Sequence, residues 1–315
     1  MFVQIKSIQD LTANIRSFEL ITEDGQDLPS FTAGSHIDVV LENGLTRQYS
    51  IANCSSEKDR YIIGVLEDGQ SRGGSSYIHQ QFKVGDRIEI SEPRNLFPVH
   101  QNTNKAVLFA GGIGITPILS MAHTLKRENI PFEFYYFIRN ENVIAFKDVL
   151  QTKFSGEIHF HIEDDAMNHL DVNQILSEPL ANKHLYVCGP NGFMDYIFKT
   201  AEQNHWQKDH LHKEHFAAES VIGNDENTEF SIKIASTGEL IPISAEESIT
   251  DVLEKCGVNI AVSCEQGICG TCLTNVLEGE PDHRDMFLTD EERASNKIFT
   301  PCCSRSKTKV LVLDL

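Results

Sequence analysis

Four cysteines stand at a spacing that suits one chemistry: Cys264, Cys269 and Cys272 in one short segment, then Cys302 after 29 intervening residues. C-x4-C-x2-C with a distant fourth thiol is the plant-type [2Fe–2S] pattern. A single looping segment delivers three thiolates to a small dinuclear centre. Gly267 and Gly270 let that segment fold tightly and aim backbone amides at sulfur. A zinc site and plain buried thiols are the rival readings. A zinc ribbon wants paired C-x2-C knuckles, and only one is present. Cys303 directly follows Cys302, so by position alone either can be the fourth ligand. Cys256 falls on the preceding helical pattern and is expected in core packing.

Two further constellations suit phosphates and planar rings. Gly111-Gly112-Ile113-Gly114-Ile115-Thr116-Pro117 follows an apolar run and opens a helical pattern. Its glycines let a diphosphate approach the backbone, Pro117 suits the first helical position, and Thr116 is then placed as N-cap. The loop is not a standard G-x-G-x-x-G. Cys188-Gly189-Pro190, ending a later apolar run, would share its carboxyl edge, although it also reads as a tight turn with a buried thiol. Arg47-Gln48-Tyr49-Ser50 and Ser71-Arg72-Gly73-Gly74-Ser75, the latter following Gly64-Val65-Leu66, read singly as turns with solvated arginines. Together they offer two guanidinium groups, hydroxyls and a glycine pair to one phosphate, with Tyr49 free to lie against a ring system. A phosphorylated flavin is the natural candidate, which spacing alone does not name. The histidines carry less: His159-x-His161 lacks a completing carboxylate, and His205, His210, His212 and His215 around a helix end read as solvated or capping. No Cys-x-His pair and no G-x-S-x-G elbow occurs, so the chain reads neither as a Rieske protein nor as a serine hydrolase.

The whole chain sets the frame for these motifs. It has 315 residues, 40% hydrophobic and 23% charged, enough for two or three domains with their own cores. Lys+Arg 27 against Asp+Glu 46 leaves −19, which argues against a nucleic-acid or anionic-membrane partner. No apolar run of about 18 residues exists to span a bilayer. No basic n-region and apolar h-region open the chain, so a cytoplasmic location is expected. Five of the eight cysteines lie in the last 52 residues, which favours a metal site over a disulfide framework.

Three textures follow one another. Residues 1–102 alternate short apolar runs with turns, as at Ser35–Leu41 and Arg87–Ile90, and predict an antiparallel β-barrel. Residues 103–222 alternate strands (105–110, 132–138, 157–162 and 184–188) with helices at 118–127 and 192–203, predicting a doubly wound parallel α/β sheet. A polar stretch at 219–228 reads as a linker. Residues 223–315 predict strands at 229–235, 239–243 and 310–313, with a helix capped by Ser248 that buries Ile249, Val252 and Leu253. This last piece holds 17 acids and 8 bases, a net −9, so the electronegative end is the cysteine end.

In this order, the three motif sets resemble the phthalate dioxygenase reductase-type (class IA) electron-transfer family over essentially the whole chain. Arg94-Asn95-Leu96-Phe97-Pro98, His212-x-Glu214-x-Phe216-Ala217-Ala218, Ser263–Gly267, Glu278–Asp285 and Pro301–Arg305 look most like vanillate O-demethylase reductase subunits. The resemblance implies an FMN barrel, an NAD domain and a β-grasp plant-type ferredoxin domain. FMN would be held by Arg47, Gln48, Tyr49, Ser50, Gly64, Val65, Leu66, Arg72, Gly73, Gly74, Ser75 and Thr116, with Phe216 packing on the flavin. The loop bearing Gly111, Gly112, Gly114, Thr116 and Pro117, together with Cys188, Gly189 and Pro190, would hold the nicotinamide nucleotide; Cys188 and Phe216 would flank the reacting centre. Arg139 and Asp164, at strand ends, are expected at the nucleotide's far end, and the acidic run Glu163–Asp165 favours NADH. Cys264, Cys269, Cys272 and Cys302 would be the cluster ligands, feeding a separate terminal Rieske-type oxygenase. Other readings stay open: the reductase of a different aromatic or amine oxygenase, a self-standing NADH-dependent flavin reductase, or a ferredoxin-like carrier, the last predicting neither flavin nor NADH-driven cytochrome c reduction.

Overall fold

The computed structural model describes residues 1–69, 73–216 and 227–315. They form two compact units, the first ending at Phe216. The expected linker lies mostly outside the described residues. No described helix is long and apolar enough to cross a membrane.

The first unit opens with β1 (Phe2–Asp10), β2 (Ile15–Ile21), β3 (Ser35–Val40), β4 (Thr46–Ser50), β5 (Tyr61–Leu66), β6 (Arg87–Ile90) and β7 (Arg94–Asn95), all in one antiparallel sheet. Its order runs β4-β3-β6-β1-β2-β5, and a bridge from Ile51 to Ile63 joins the two ends, closing the barrel. Inward residues at period two, among them Val3, Ile5, Phe18, Leu20, Ile37, Val39, Ile63 and Val65, fill it. Helix α1 (Gly74–Gln81) follows β5.

After the barrel come β8 (Lys105–Gly111), α2 (Ile115–Arg127), β9 (Phe132–Ile138), α3 (Lys147–Lys153), β10 (Ile158–Ile162), α4 (Val172–Ile175), β11 (Lys183–Cys188), α5 (Asn191–Gln203) and β12 (Leu211–Glu214). Their strands make a parallel sheet in the order β10-β9-β8-β11-β12. Such a sheet is covered on both faces, which is why β8 and β11 read as continuous apolar runs. The chain steps outward from β8 through β9 to β10, then crosses back to β11 on the other side. The crevice outside the carboxyl ends of β8 and β11 is therefore the switch point where such sheets take ligands.

The structure departs from the sequence patterns at several residues of this unit. Helix α2 starts at Ile115 with Gly114 as N-cap, so Thr116 is not the cap; it sits in the first turn and donates to the Ile113 carbonyl at 3.1 Å. His212 is no solvated cap: it lies in β12, a strand that no pattern in the sequence announces. There its Nε2 meets His184 Nδ1 at 2.9 Å, and its ring stacks on Tyr186. Burial, then the neighbouring histidines, pushes His184 and His212 down to about 4. His159 and His161 stack on Tyr135 and Phe137 as part of the sheet's aromatic packing.

The second unit contains β13 (Phe230–Ile234), β14 (Leu240–Ile243), α6 (Ile249–Lys255), β15 (Thr274–Glu278), β16 (Pro281–Asp282), α7 (Asp290–Ser295), β17 (Ile298–Phe299), β18 (Arg305–Ser306) and β19 (Val310–Leu313). The main sheet runs β14-β13-β19-β15-β17, with β13 and β19 parallel at its centre. Ser248 caps α6 by accepting from the Asp251 amide, and Ile249, Val252 and Leu253 pack on Ile232, Ile234, Ile241 and Leu311. This is the β-grasp arrangement. Cys256 is exposed as the C-cap of α6, so its expected place in the core is wrong: the helix stops at Lys255 and its buried face ends at Leu253.

Candidate functional site

In the first unit the loops after β8 and β11 are pressed together back to back. A Cβ on Gly114 would overlap the Cys188 carbonyl, and one on Gly189 would lie 2.9 Å from Gly111 Cα and from the Phe193 ring. A Cβ on Gly111 would lie 3.1 Å from Pro190 Cδ. Gly112 takes a φ of 54°, and its carbonyl accepts from Tyr136 Oη at 3.0 Å. These glycines are thus required by contact between loops, at the crevice the topology singles out. Pro117 is buried in the first turn of α2 as its third residue, not its first as expected, because the helix starts at Ile115.

The barrel reaches the same place. A Cβ on Gly64 of β5 would come within 2.8 Å of Thr116 Cγ2, so the strand and the first turn of α2 touch. Ser50, ending β4, donates to Glu214 Oε2 at 3.4 Å. Glu214 ends β12 directly opposite Cys188 in the parallel register. A hydroxyl, a carboxyl and a thiol from three distant segments thereby meet around one strand end. Burial raises the Cys188 thiol well above its ordinary value and pushes Glu214 up to about 8, while the Ser50 hydroxyl works the other way on Glu214. Sequence reasoning singles out Ser50 and Cys188, but names Glu214 only within the family-like run His212-x-Glu214-x-Phe216-Ala217-Ala218 and gives it no role. Phe216, two residues on, is 41% exposed.

Glu214 should make itself felt in the pH dependence of stability. Its folded value lies above its unfolded one, so between about pH 4.5 and 8 the native state holds a proton that the unfolded state has lost. Stability then falls as pH rises through that window and levels off above about 8. Glu214→Gln is expected to gain on the wild type as pH rises, by on the order of 2 kcal/mol at pH 8 relative to pH 5. Thermal melts at the two pH values check this, and parallel Tm curves would refute it.

Of the other expected flavin contacts, Arg47, Gly73, Gly74 and Ser75 meet at the start of α1. Gly73, with a φ of 91°, precedes the helix, and a Cβ on Gly74 would lie 2.7 Å from Arg47 Cγ and Nε, so only glycine lets Arg47 lie across this terminus. Ser75 Oγ accepts from the Asp68 amide at 3.2 Å. Gln48 donates to Asp38 Oδ1 at 3.1 Å, and burial raises the Tyr49 phenol. Val65 offers its carbonyl to His79 Nε2 at 2.9 Å, next to Leu66. Arg72 lies outside the described residues. Farther along the sheet edge, Arg139 and Asp164 are exposed beyond β9 and β10, joined by a bond from the Asp164 amide to the Arg139 carbonyl at 2.9 Å.

In the second unit the loop between α6 and β15 gathers the thiols. Cys264, Cys269, Cys272 and Cys302 are all buried, and none forms a disulfide. Cys264 lies within hydrogen-bonding reach of Cys269 and Cys302, and Cys302 of Cys272. The amides of Gln266 and Ile268 donate to Cys264 Sγ at 3.3 and 3.4 Å, and that of Thr271 to Cys269 Sγ at 3.4 Å. Hydrogen bonds from Cys269 and Cys302, then from the two amides, hold the Cys264 thiol well below its ordinary value. Four converging sulfurs supplied with N–H donors fit an iron–sulfur centre. Cys303 is half-buried, also reaches Cys302, and lies 3.3 Å from Thr300 Oγ1 and 3.7 Å from the Thr300 carbonyl.

Comparison with known proteins fits both units. Residues 232–307 match the 2Fe-2S iron-sulfur cluster binding domain, and residues 108–199 the oxidoreductase NAD-binding domain. The chain is 54% identical over 315 residues to the vanillate O-demethylase oxidoreductase of Acinetobacter baylyi, covering all of this chain and 99% of that protein. Its structure superposes on phthalate dioxygenase reductase with a TM-score of 0.80 at 37% identity, covering 100% and 98% of the two chains. The chain belongs to the phthalate dioxygenase reductase family. A carnitine monooxygenase reductase subunit from Escherichia coli is a further relative, 37% identical over 99% of this chain and 98% of that one. As a reductase of this family, the protein is an NADH-dependent electron-transfer oxidoreductase of an oxygenase system, and the family's cofactor set is FMN, NADH and a [2Fe–2S] cluster.

Proposed function

We propose that this reductase serves a separate terminal Rieske-type oxygenase of the vanillate O-demethylase kind. The 54% identity to a vanillate O-demethylase oxidoreductase along the entire chain carries this reading. Its domains are taken as 1–102 for FMN, 103–222 for NADH and 223–315 for the cluster.

FMN, when bound, would supply hydride acceptance from NADH, and a bound iron–sulfur centre would supply single-electron transfer. The protein's part is placement. Arg47, Gly73, Gly74 and Ser75, with Arg72, are assigned to the flavin phosphate. Gln48, Tyr49, Ser50, Gly64, Val65, Leu66 and Thr116 are assigned to its ring and ribityl chain, and Phe216 to the ring's exposed side. Gly111, Gly112, Gly114, Pro117, Gly189 and Pro190 admit the diphosphate at the crevice between β8 and β11. Cys188 fills the floor beside the reacting centre, and Arg139 and Asp164 face the adenosine end. Cys264, Cys269, Cys272 and Cys302 are the cluster ligands.

NADH-driven demethylation of vanillate by this protein with a purified vanillate-type terminal oxygenase tests the assignment. Turnover only with an amine oxygenase would replace it. The same mixture reads the docking mode. Residues 223–315 carry −9, so turnover should fall severalfold as salt rises and the Debye length shrinks below about 10 Å, while ferricyanide reduction by NADH stays level. A coupled rate that ignores salt would rule out electrostatic docking.

A further inference from the structure

The cluster unit holds a buried carboxylate, one oxygen of which makes no hydrogen bond among the described residues. Asp285 lies between β16 and α7, and its side chain is 0% exposed. Its Oδ2 accepts from the amides of Phe287 and Leu288 at 3.1 and 2.7 Å, tying off the turn that follows. Its Oδ1 has no hydrogen-bond partner among the described residues, and neither have the two ring nitrogens of neighbouring His283 or Arg293 Nε. His283 Nδ1 stands 3.7 Å from Oδ1, and Arg293 Nη2 stands 3.8 Å from Oδ2 while donating to the Asp285 carbonyl at 2.6 Å. An asparagine would accept the same two amide bonds, so the turn needs the oxygen and not the charge. Unsatisfied atoms gathered in one buried place call for a reason.

The position of Asp285 supplies one. A Cβ on Gly267, the glycine between Cys264 and Cys269, would lie 2.8 Å from Asp285 Cα and 2.9 Å from its Cβ, and would overlap Cys303 Sγ. The Met286 amide donates to the Gly267 carbonyl at 2.9 Å. The backbone and Cβ of Asp285 are thus packed on the segment that carries the sulfurs, and its carboxylate is buried beside it, where solvent and salt screen it poorly.

We propose that Asp285 and Arg293 are opposed charges that set the reduction potential of the iron–sulfur centre. Taking up an electron adds negative charge to the site, so the Asp285 carboxylate lowers the potential and the Arg293 guanidinium raises it. Both are positioning residues acting through the field at the sulfur-bearing loop. The inference rests on the cluster ligands assigned above.

EPR-monitored redox titration of the purified holoprotein, wild type and variants, tests it. Asp285→Asn keeps both amide bonds and should shift the centre upward. At the wild-type midpoint its reduced-to-oxidised ratio becomes about tenfold, which is 59 mV for a one-electron couple. Arg293→Gln should move the ratio the other way, about threefold. Glu280→Gln, removing an exposed carboxylate paired with Lys307, should leave it unmoved. A wild-type protein without a [2Fe–2S] EPR signal would defeat the ligand assignment. Normal signals with unmoved midpoints in both variants would defeat this inference alone. If Asp285→Asn loads no cluster, the sign of the Arg293→Gln shift decides, and an unchanged or raised midpoint overturns the proposal.

Discussion

Serine in place of Cys264, Cys269, Cys272 or Cys302 should abolish the EPR signal of the reduced protein and leave NADH–ferricyanide activity largely intact. The dissociation of the two readouts follows from the architecture. The thiols lie in the second compact unit, whereas Ser50, Cys188, Glu214 and the glycine loops lie in the first, so loss of the cluster leaves the hydride-accepting side whole. Serine cannot supply the soft thiolate an iron–sulfur centre requires. The choice between the two adjacent cysteines is the sharp part. Cys302 is buried and in reach of both Cys264 and Cys272, while the Cys303 thiol is turned to the Thr300 hydroxyl and carbonyl. Cys303→Ser is therefore expected to keep its cluster. A normal signal in Cys302→Ser with loss in Cys303→Ser would reverse the assignment.

NADPH should be a poor substitute for NADH, with kcat/KM lower by at least about tenfold, or 1.4 kcal/mol. The adenosine 2′-phosphate needs a nearby Arg or Lys, whereas a free 2′-hydroxyl suits an acidic acceptor. From Phe154 through Asn182 the chain has neither lysine nor arginine. Beyond β10 it presents Glu163 and Asp164 exposed, with Arg139 the basic side chain at the neighbouring strand end. Like charge at that edge opposes a dianionic phosphate. Asp164→Ala should narrow the gap mainly through KM, because a ribose contact contributes equally in ground and transition states. Equal kcat/KM for the two nucleotides in the wild type would show that this acidic edge does not select.

That acidic edge is legible in the sequence alone, because it is local composition. So are the cysteine spacing and several whole elements: β6, β9 and β19 begin and end where their apolar patterns do. Ser248 as helix cap is equally legible, since capping is a contact between residues three apart. Patterns of period two or 3.6 and fixed ligand spacings are written along the chain, and local physics reads them without knowing the fold.

What only the tertiary structure decided is who meets whom across the chain. Ser50 and Glu214 are 164 residues apart, and nothing in either segment announces the other. Strand β12, Leu-His-Lys-Glu, has no alternation or apolar run of its own. It is a strand because β11 offers it a parallel edge, and that register places Glu214 against Cys188. Thr116 misses the N-cap because the helix already starts at Ile115, after a Gly114 that packs on the Cys188 carbonyl, a contact no local pattern announces. Asp285 sits in a polar stretch where a charge looks solvated, yet the β-grasp fold closes that stretch over Gly267. Strand crossovers and loop-on-loop packing create these encounters, and their energies depend on pairs of segments that no window along the sequence contains.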